Sequence, residues 1–272
     1  MAFARRWQPV LGRLRLFYRH VFPWLDALAI LAWGILLVKK RLTGGLALLI
    51  HVNYFGLVFV AGWILMAIGL VLLGQRFAEQ RSRRKTAATP EVRHITLFPP
   101  GVGTSLLLGA AIAGLVIPPR ILGSETALQR GIAESNLPYT QTQVQSFFNP
   151  IKPEDRSLLD WVRTLNAYPE PDAYRGQTAN ITGFVVHSDQ LPDNYLLIAR
   201  FTIACCAVDA SPIGLPVKLP GDRREYPPDT WLEITGTMTT ETLDDRRQLV
   251  IDIESTADIE EIPTPANPYE NR

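Results

Sequence analysis

The spacing of hydrophobic and polar residues differs between the first 117 residues and the rest of the chain. Three uninterrupted apolar stretches lie in the first part, near residues 21–38, 54–73 and 98–117, and their only charge is Asp26. A hydrocarbon core of about 30 Å needs about 20 helical residues, and an isolated segment in lipid satisfies its own backbone only as a helix. The pattern predicts three membrane-spanning helices. Buried helices of a soluble core are the alternative for the short first stretch and for the third, which is rich in glycine and alanine.

Basic residues indicate how these helices are oriented. Five arginines precede the first stretch, and six Lys or Arg residues lie between positions 76 and 93. Basic loops stay on the cytoplasmic side. Three spans place both segments there, so we expect a multi-pass protein of the plasma membrane with a cytoplasmic N-terminus and an extracytoplasmic C-terminal part. Lys39, Lys40 and Arg41 disagree with this rule, unless their side chains snorkel at a helix end.

The second part of the chain has the two-residue period of short strands. After a polar connector at residues 118–152, proline and acidic residues begin a predicted helix at Pro153–Leu165. The strands that follow are predicted at Gln177–His187, Tyr195–Cys206, Gly214–Leu219, Thr230–Thr239 and Gln248–Ile253, with Asp258–Ile262 as an extension of the last. One helix before five short strands predicts an α+β, mainly β domain over residues 153–262, a small antiparallel barrel of the OB type. The proline-rich tail, residues 263–272, is expected to be extended.

The net charge of +1 conceals opposite charges on the two parts. Residues 1–117 contain 14 Lys and Arg against 3 Asp and Glu, whereas residues 118–272 contain 13 against 23. The acidic second part favours cationic ligands. It has no basic groove with interleaved aromatic residues, so we expect no nucleic acid among the partners.

The only two cysteines of the chain are adjacent, Cys205-Cys206. Neighbouring residues of a strand point to opposite faces, so one thiol is expected to face the core and the other the outside. Three interpretations are open: small buried hydrophobic residues, a soft-metal or thiol-reactive site with Asp209 and His187 as neighbours, or contact with another subunit. Because the spacing is not C-x-x-C, zinc is weakly supported and no metal is assigned.

Motifs of the common enzyme classes are missing from the sequence. It contains no G-x-S-x-G, H-E-x-x-H or P-loop, and its four histidines are scattered. A nucleophilic pair of one cysteine with His187 is the one enzymatic alternative. We therefore expect a protein that is not an enzyme and has no cofactor.

A set of residues around and before the cysteines forms a distinctive pattern: the segment Ile117–Ser124, Gly176, the run Asn180–Val185, Arg200-Phe201, Cys205-Cys206, Asp209-Ala210, Gly214, Trp231 and Gly236. In these residues the sequence resembles the YcgQ-type family of bacterial permease-subunit proteins. The family motif usually reads Cys-Cys-x-Ala-Asp-Ala, and Val208 precedes Asp209 here. The resemblance implies an integral membrane protein paired with a separate multi-span permease, and it implies no known substrate.

Two functions follow from the sequence as hypotheses. The first is an accessory subunit of a permease, whose glycine- and alanine-rich third span suits close helix packing. The second is a membrane-anchored extracytoplasmic module that binds a ligand or a metal ion. Cys205, Cys206, Asp209 and His187 are the candidate ligand or partner residues in either case.

Overall fold

A computed structural model of the protein describes residues 24–81, 102–132 and 151–270. The chain divides into two compact units. The first comprises Met1–Ala47 and Val52–Pro119, and the second comprises Leu48–His51 and Arg120–Arg272. The short segment Leu48–His51 therefore belongs with the C-terminal residues, although it lies between two helices of the first unit in sequence.

Helices form the first unit: α1 at residues 24–42, α2 at Phe55–Arg81 and α3 at Val102–Val116. In the described part of the chain, Val52–Ala78 is the one helix long and apolar enough to cross a membrane. It has 27 residues, and 11% of its apolar 18-residue segment is buried within the protein.

Of the three predicted spans, one is therefore a helix of this length and composition among the described residues. The 15 residues of α3 extend about 22 Å at 1.5 Å per residue, which is shorter than the hydrocarbon core of about 30 Å. Any 18 consecutive residues of α1 include four charged residues, namely Asp26 and the basic run 39–41, so α1 has no apolar segment of that length. Residues 21–23 and 98–101 of the predicted spans lie outside the described residues.

Small residues bring α1 and α2 together. A Cβ atom on Gly34 of α1 would lie only 2.8 Å from the backbone nitrogen of Met66 in α2, so the two backbones meet where a side chain has no room. We expected this role for the glycines of α3. Gly114 has this role, because a Cβ atom there would lie 3.0 Å from the Leu36 side chain of α1, whereas Gly103 and Gly109 have no atom of the described residues within 4 Å of a Cβ built there.

The polar residues of these helices are bonded to neighbouring helices. Asp26 accepts a hydrogen bond of 2.5 Å from the Thr104 hydroxyl. The Lys39 ammonium donates to the Leu115 carbonyl at 3.1 Å, and that of Lys40 donates to the Ile117 carbonyl at 3.4 Å. The last carbonyls of a helix have no partner within the helix. The two lysines that disagree with the charge rule thus satisfy the C-terminal end of α3.

The second unit is mainly β, as predicted. Its helices are α4 at Ser124–Arg130 and α5 at Leu158–Ala167, and its strands are β1 (Thr178–Val186), β2 (Tyr195–Thr202), β3 (Ser211–Lys218), β4 (Trp231–Leu243), β5 (Arg246–Asp252), β6 (Ile259–Ile262) and β7 (Tyr269–Glu270). Five strands are hydrogen-bonded in a closed ring in the order β1, β2, β3, β5, β4 and back to β1. Within the ring only the β3–β5 pairing is parallel. The short strands β6 and β7 pair outside the ring with β4 and β2.

The core of this unit lies between the ring of strands and α5. The helix begins at Leu158 rather than at the predicted Pro153, because Ser157 and Asp160 form a reciprocal capping box at its first turn. Its apolar face then buries Trp161 and Val162 completely. Because an amphipathic helix is stabilised mostly by burying such a face, α5 depends on the ring that it covers.

Gly183 lies where β1 changes partners. The residues of β1 before Gly183 pair with β4. From Phe184 onward, β1 pairs with β2. A Cβ atom on Gly183 would lie 2.7 Å from the carbonyl oxygen of Ala199 in β2. The sequence predicted a bulge or a close approach at this glycine, and the close approach is confirmed.

One C-terminal prediction needs correction. Ile259–Ile262 is not an extension of β5 but a separate strand, whose residues pair with Trp231–Ile234 of β4. Near the end of the tail, Tyr269 and Glu270 form the extended strand β7, and they are buried and pair with the end of β2. A buried ion pair of 2.9 Å between Arg200 and Glu270 anchors this end.

Candidate functional site

The candidate site is the turn that follows β2. The Asp209 carboxylate accepts hydrogen bonds from three consecutive backbone N–H groups, those of Ala204 at 3.1 Å, Cys205 at 2.8 Å and Cys206 at 3.4 Å. Aspartate often offers the backbone such an alternative to the strand ladder. The carboxylate thus folds the chain back after Thr202, and β2 ends before the cysteines.

Both thiols lie on this turn and face each other. Their Sγ atoms are 3.5 Å apart, Cys205 is exposed, and Cys206 is half-buried. The expectation that strand geometry sends one thiol to the core is therefore wrong, because neither cysteine is in a strand. The two sulfurs are available to one ligand.

Hydrogen bonds give the two thiols different acidities. The bond from Cys205 to the Asp209 carboxylate, and after it the bond to the Cys206 sulfur, raise the pKa of the Cys205 thiol to about 12. The backbone N–H of Val208 and the thiol of Cys205 lower the pKa of Cys206. Burial raises the pKa of Asp209, but hydrogen bonds from Cys205 and from three backbone groups outweigh it and leave that pKa below its usual value. Cys206 is therefore the sulfur that ionises first.

The cluster has the donor atoms and spacing of a metal site. The two sulfurs and a carboxylate oxygen of Asp209 all lie within 4.8 Å of one another. Two Zn–S bonds of about 2.3 Å at a tetrahedral angle place their sulfurs about 3.8 Å apart, and a linear two-coordinate arrangement separates them by about 4.6 Å. The observed 3.5 Å fits the tetrahedral arrangement better.

The short segment Leu48–His51, from the N-terminal part of the sequence, is hydrogen-bonded to this turn. Ile50 forms an isolated antiparallel bridge with Cys206. The N–H of His51 donates to the Cys205 carbonyl at 3.0 Å, and the N–H of Ala207 donates to the Leu49 carbonyl at 2.9 Å. Sequence reasoning missed this neighbour of the cysteines, and its only signal was a histidine at the end of an apolar segment.

His187, the fourth candidate residue, is not part of the cluster. It follows β1, and its Nε2 atom lies 2.9 Å from the carbonyl oxygen of Tyr226, a hydrogen-bonding distance. The structure therefore brings together Cys205, Cys206 and Asp209 and places the His187 ring against another loop.

An open groove of about 270 Å³ on the same unit is lined mainly by polar side chains, among them Arg200 and Glu270. The Arg200 guanidinium already bonds the Glu270 carboxylate and the carbonyls of Asn267 and Pro268. It also lies 5.6 Å from the centre of the Trp231 ring. These contacts use Arg200 to hold the C-terminal segment. The second arginine of the groove, Arg156, donates to the Gln177 side chain at 3.3 Å and lies 4.7 Å from the centre of the Trp161 ring.

Comparison with known protein families identifies the class to which the chain belongs. The family of the DUF1980 C-terminal domain matches residues 135–270, half of the chain. The chain therefore belongs to the family of proteins that contain this domain. The matched segment includes the closed ring of strands and the turn with both cysteines. No curated protein and no solved structure matches the chain.

Proposed function

We propose that the protein is a membrane protein whose C-terminal β unit binds a divalent metal ion of the zinc class at Cys205, Cys206 and Asp209. The observation that carries this proposal is the convergence of two sulfurs, 3.5 Å apart, and a carboxylate within 4.8 Å. Thiolates select soft and borderline ions over Mg²⁺ and Ca²⁺. Metal ligands bind in the deprotonated form; Cys206, whose pKa is lowered, loses its proton readily, whereas Cys205, whose pKa is raised to about 12, loses its proton only when the ion displaces it.

The site has the character of an exchangeable site rather than of a structural one. Structural zinc sites are closed by four protein ligands, whereas three protein ligands leave one coordination position open. Cys205 and Asp209 are exposed, so an ion has direct access. We propose that the ion is captured and released here.

The setting that we propose is that of an accessory subunit of a multi-span permease. This proposal is supported by the resemblance of the cysteine segment to permease-subunit proteins and by the helix Val52–Ala78. The arginines before the first apolar stretch and the basic residues between positions 76 and 93 support a multi-pass arrangement with the N-terminus in the cytoplasm and the acidic β unit outside. An acidic surface raises the local concentration of cations. The closed ring of five strands supports an OB-type barrel as the fold of this unit.

Cobalt binding tests the metal site. The full chain, purified in detergent under reducing conditions, is titrated with Co²⁺, whose thiolate complexes absorb in the near ultraviolet. We expect one Co²⁺ per chain, a weaker thiolate band in Cys205→Ser and in Cys206→Ser, loss of the band in the double variant, and weaker binding in Asp209→Asn. Asp189→Asn is the matched control, since Asp189 is an exposed loop residue outside the cluster. Unchanged binding in the double cysteine variant would refute the proposal.

Purification from native membranes tests the permease setting separately. The tagged full chain is extracted in a mild detergent, and the bound proteins are identified by mass spectrometry. We expect a multi-span membrane protein in a stoichiometric amount. Its consistent absence, with or without prior crosslinking, would refute the accessory-subunit role and leave the metal site unaffected.

A further inference from the structure

We infer that Cys205 and Cys206 are a site of reversible oxidation, at which a small disulfide such as oxidised glutathione joins the two sulfurs and thereby empties the metal site. This inference rests on the proposed metal-binding function and names the regulation of that site. The chain has only these two cysteines, so every disulfide within one chain joins this pair.

The two sulfurs are placed for bonding to each other. Their Sγ atoms are 3.5 Å apart, and a disulfide bond of about 2.05 Å requires them to approach by only about 1.5 Å. Cys205 is exposed and Cys206 is half-buried, so a small disulfide reaches the pair from solvent. Because neither cysteine belongs to a strand of the sheet, strand geometry does not send their side chains to opposite faces.

The backbone around the pair makes the resulting bond easy to reduce. The peptide bond between the two cysteines is trans, which fixes their Cα atoms about 3.8 Å apart, whereas ordinary disulfides span about 4.4–6.8 Å. Hydrogen bonds hold this backbone from two sides, since the Asp209 carboxylate bonds the N–H groups of both cysteines and the N–H of His51 bonds the Cys205 carbonyl. The backbone has little freedom to relax around a bridge, and a strained disulfide is more readily reduced than a structural one.

The exchange conserves atoms and electrons. One cysteine, as its thiolate, attacks a sulfur of oxidised glutathione, which breaks the glutathione S–S bond and releases one glutathione thiolate. The other cysteine, as its thiolate, then attacks the protein sulfur of this mixed disulfide and releases the second glutathione. The two cysteines lose two protons and two electrons in total, and oxidised glutathione takes them up to become two molecules of reduced glutathione.

Oxidation and metal binding exclude each other. A disulfide has no thiolate to offer, so only the Asp209 carboxylate is left of the three ligands. In the other direction, a tetrahedral ion holds the sulfurs about 3.8 Å apart and occupies the electron pairs that the exchange needs. At a free Zn²⁺ concentration of about 100 times the dissociation constant, about 1% of the chains are metal-free. We therefore expect Zn²⁺ to slow formation of the disulfide about 100-fold.

Peptide mass spectrometry of the full chain in detergent tests the disulfide. The metal-free chain is equilibrated with reduced and oxidised glutathione and quenched with acid. We expect the wild-type cysteine peptide to lose the mass of two hydrogen atoms and to regain it in excess reduced glutathione. Cys205→Ser and Cys206→Ser, each with one thiol left, should stop at the mixed disulfide with glutathione. Asp189→Asn, the matched control outside the cluster, should behave like the wild type.

Zn²⁺ binding by the same samples tests the coupling, and circular dichroism checks that the β unit is intact. The oxidised chain should bind no Zn²⁺ at the site and should bind it again after reduction. Only mixed disulfides or crosslinked dimers in the folded wild type, or a bond that excess reduced glutathione fails to open, would overturn the inference and leave the proposed function standing. Equal Zn²⁺ binding by the oxidised and reduced chains would overturn both, because the ion is then held elsewhere. Failure of the reduced wild type to bind Zn²⁺ or Co²⁺ would refute the proposed function, while the disulfide is still measured in the metal-free chain.

Discussion

Substitution of Gly183 by alanine tests the closure of the ring of strands. The added Cβ atom would lie 2.7 Å from the carbonyl oxygen and 3.2 Å from the nitrogen of Ala199. Both are backbone atoms of β2, which is held on its other side by pairing of Ala199 with Gly214 of β3. The clash therefore has no flexible side chain to absorb it, and either β1 or β2 must move.

The expected cost is set by two opposing effects. Overpacking a well-packed site costs about 1–3 kcal/mol, whereas replacing glycine by alanine restricts the unfolded chain and returns about 0.4–1 kcal/mol. We expect Gly183→Ala to lower the free energy of unfolding of the β unit by about 1–2 kcal/mol. Gly221→Ala is the control, because the nearest atom to its Cβ is 3.4 Å away on the flexible Glu225 side chain.

Hydrogen exchange followed by mass spectrometry measures this effect in the full chain, because peptides from β1 and β2 report on this unit alone. The amides of both strands should exchange about 5–30-fold faster in Gly183→Ala, which corresponds to the expected loss of 1–2 kcal/mol. Exchange as slow in Gly183→Ala as in the wild type and in Gly221→Ala would show that β1 and β2 do not meet at this glycine.

Three further predictions concern the same unit. Burial raises the pKa of Glu241, but hydrogen bonds, chiefly the one from Lys218, outweigh burial and leave this pKa below its usual value. The stabilisation that the Glu241 carboxylate contributes is therefore present above its unfolded pKa and is lost as the pH falls through its folded pKa. Urea unfolding should show Glu241→Gln less stable by about 1 kcal/mol near neutral pH and equal to the wild type in acid. Arg200→Met leaves a carboxylate of β7 buried without its partner, so it should cost about 3 kcal/mol and expose β7 to proteolysis. In the metal-free chain near neutral pH, iodoacetamide should modify Cys206 before Cys205, because the pKa of Cys206 is lowered and that of Cys205 is raised; peptide mapping shows the order.

The strands were predictable where their pattern is local. The alternation of Leu249 and Ile251 identified β5, and the pair Asp244-Asp245, both with positive φ of 50° and 57°, forms the two-residue turn between β4 and β5. The apolar run after Phe201 extended the predicted β2 through Cys206. What ends that strand is a carboxylate further along the chain, which bonds the backbone in place of a neighbouring strand.

The candidate site was only partly predictable because half of its environment is distant in sequence. The adjacent thiols and Asp209 lie within one motif, and hydrogen bonds close to them in sequence bring them together. His187 was expected beside them, but the fold places it against Tyr226. The segment Leu48–His51 is instead bonded to the turn of the cysteines through the bridge between Ile50 and Cys206, and no periodicity or spacing connects two segments so far apart.

Zinc K-edge X-ray absorption of the full chain loaded with one equivalent of Zn²⁺ tests the metal site at Cys205, Cys206 and Asp209, because it measures the ligands themselves. We expect two sulfur neighbours at about 2.3 Å and nitrogen or oxygen neighbours at about 2.0–2.1 Å. A shell of nitrogen and oxygen alone, as for an ion held by surface carboxylates, would contradict it.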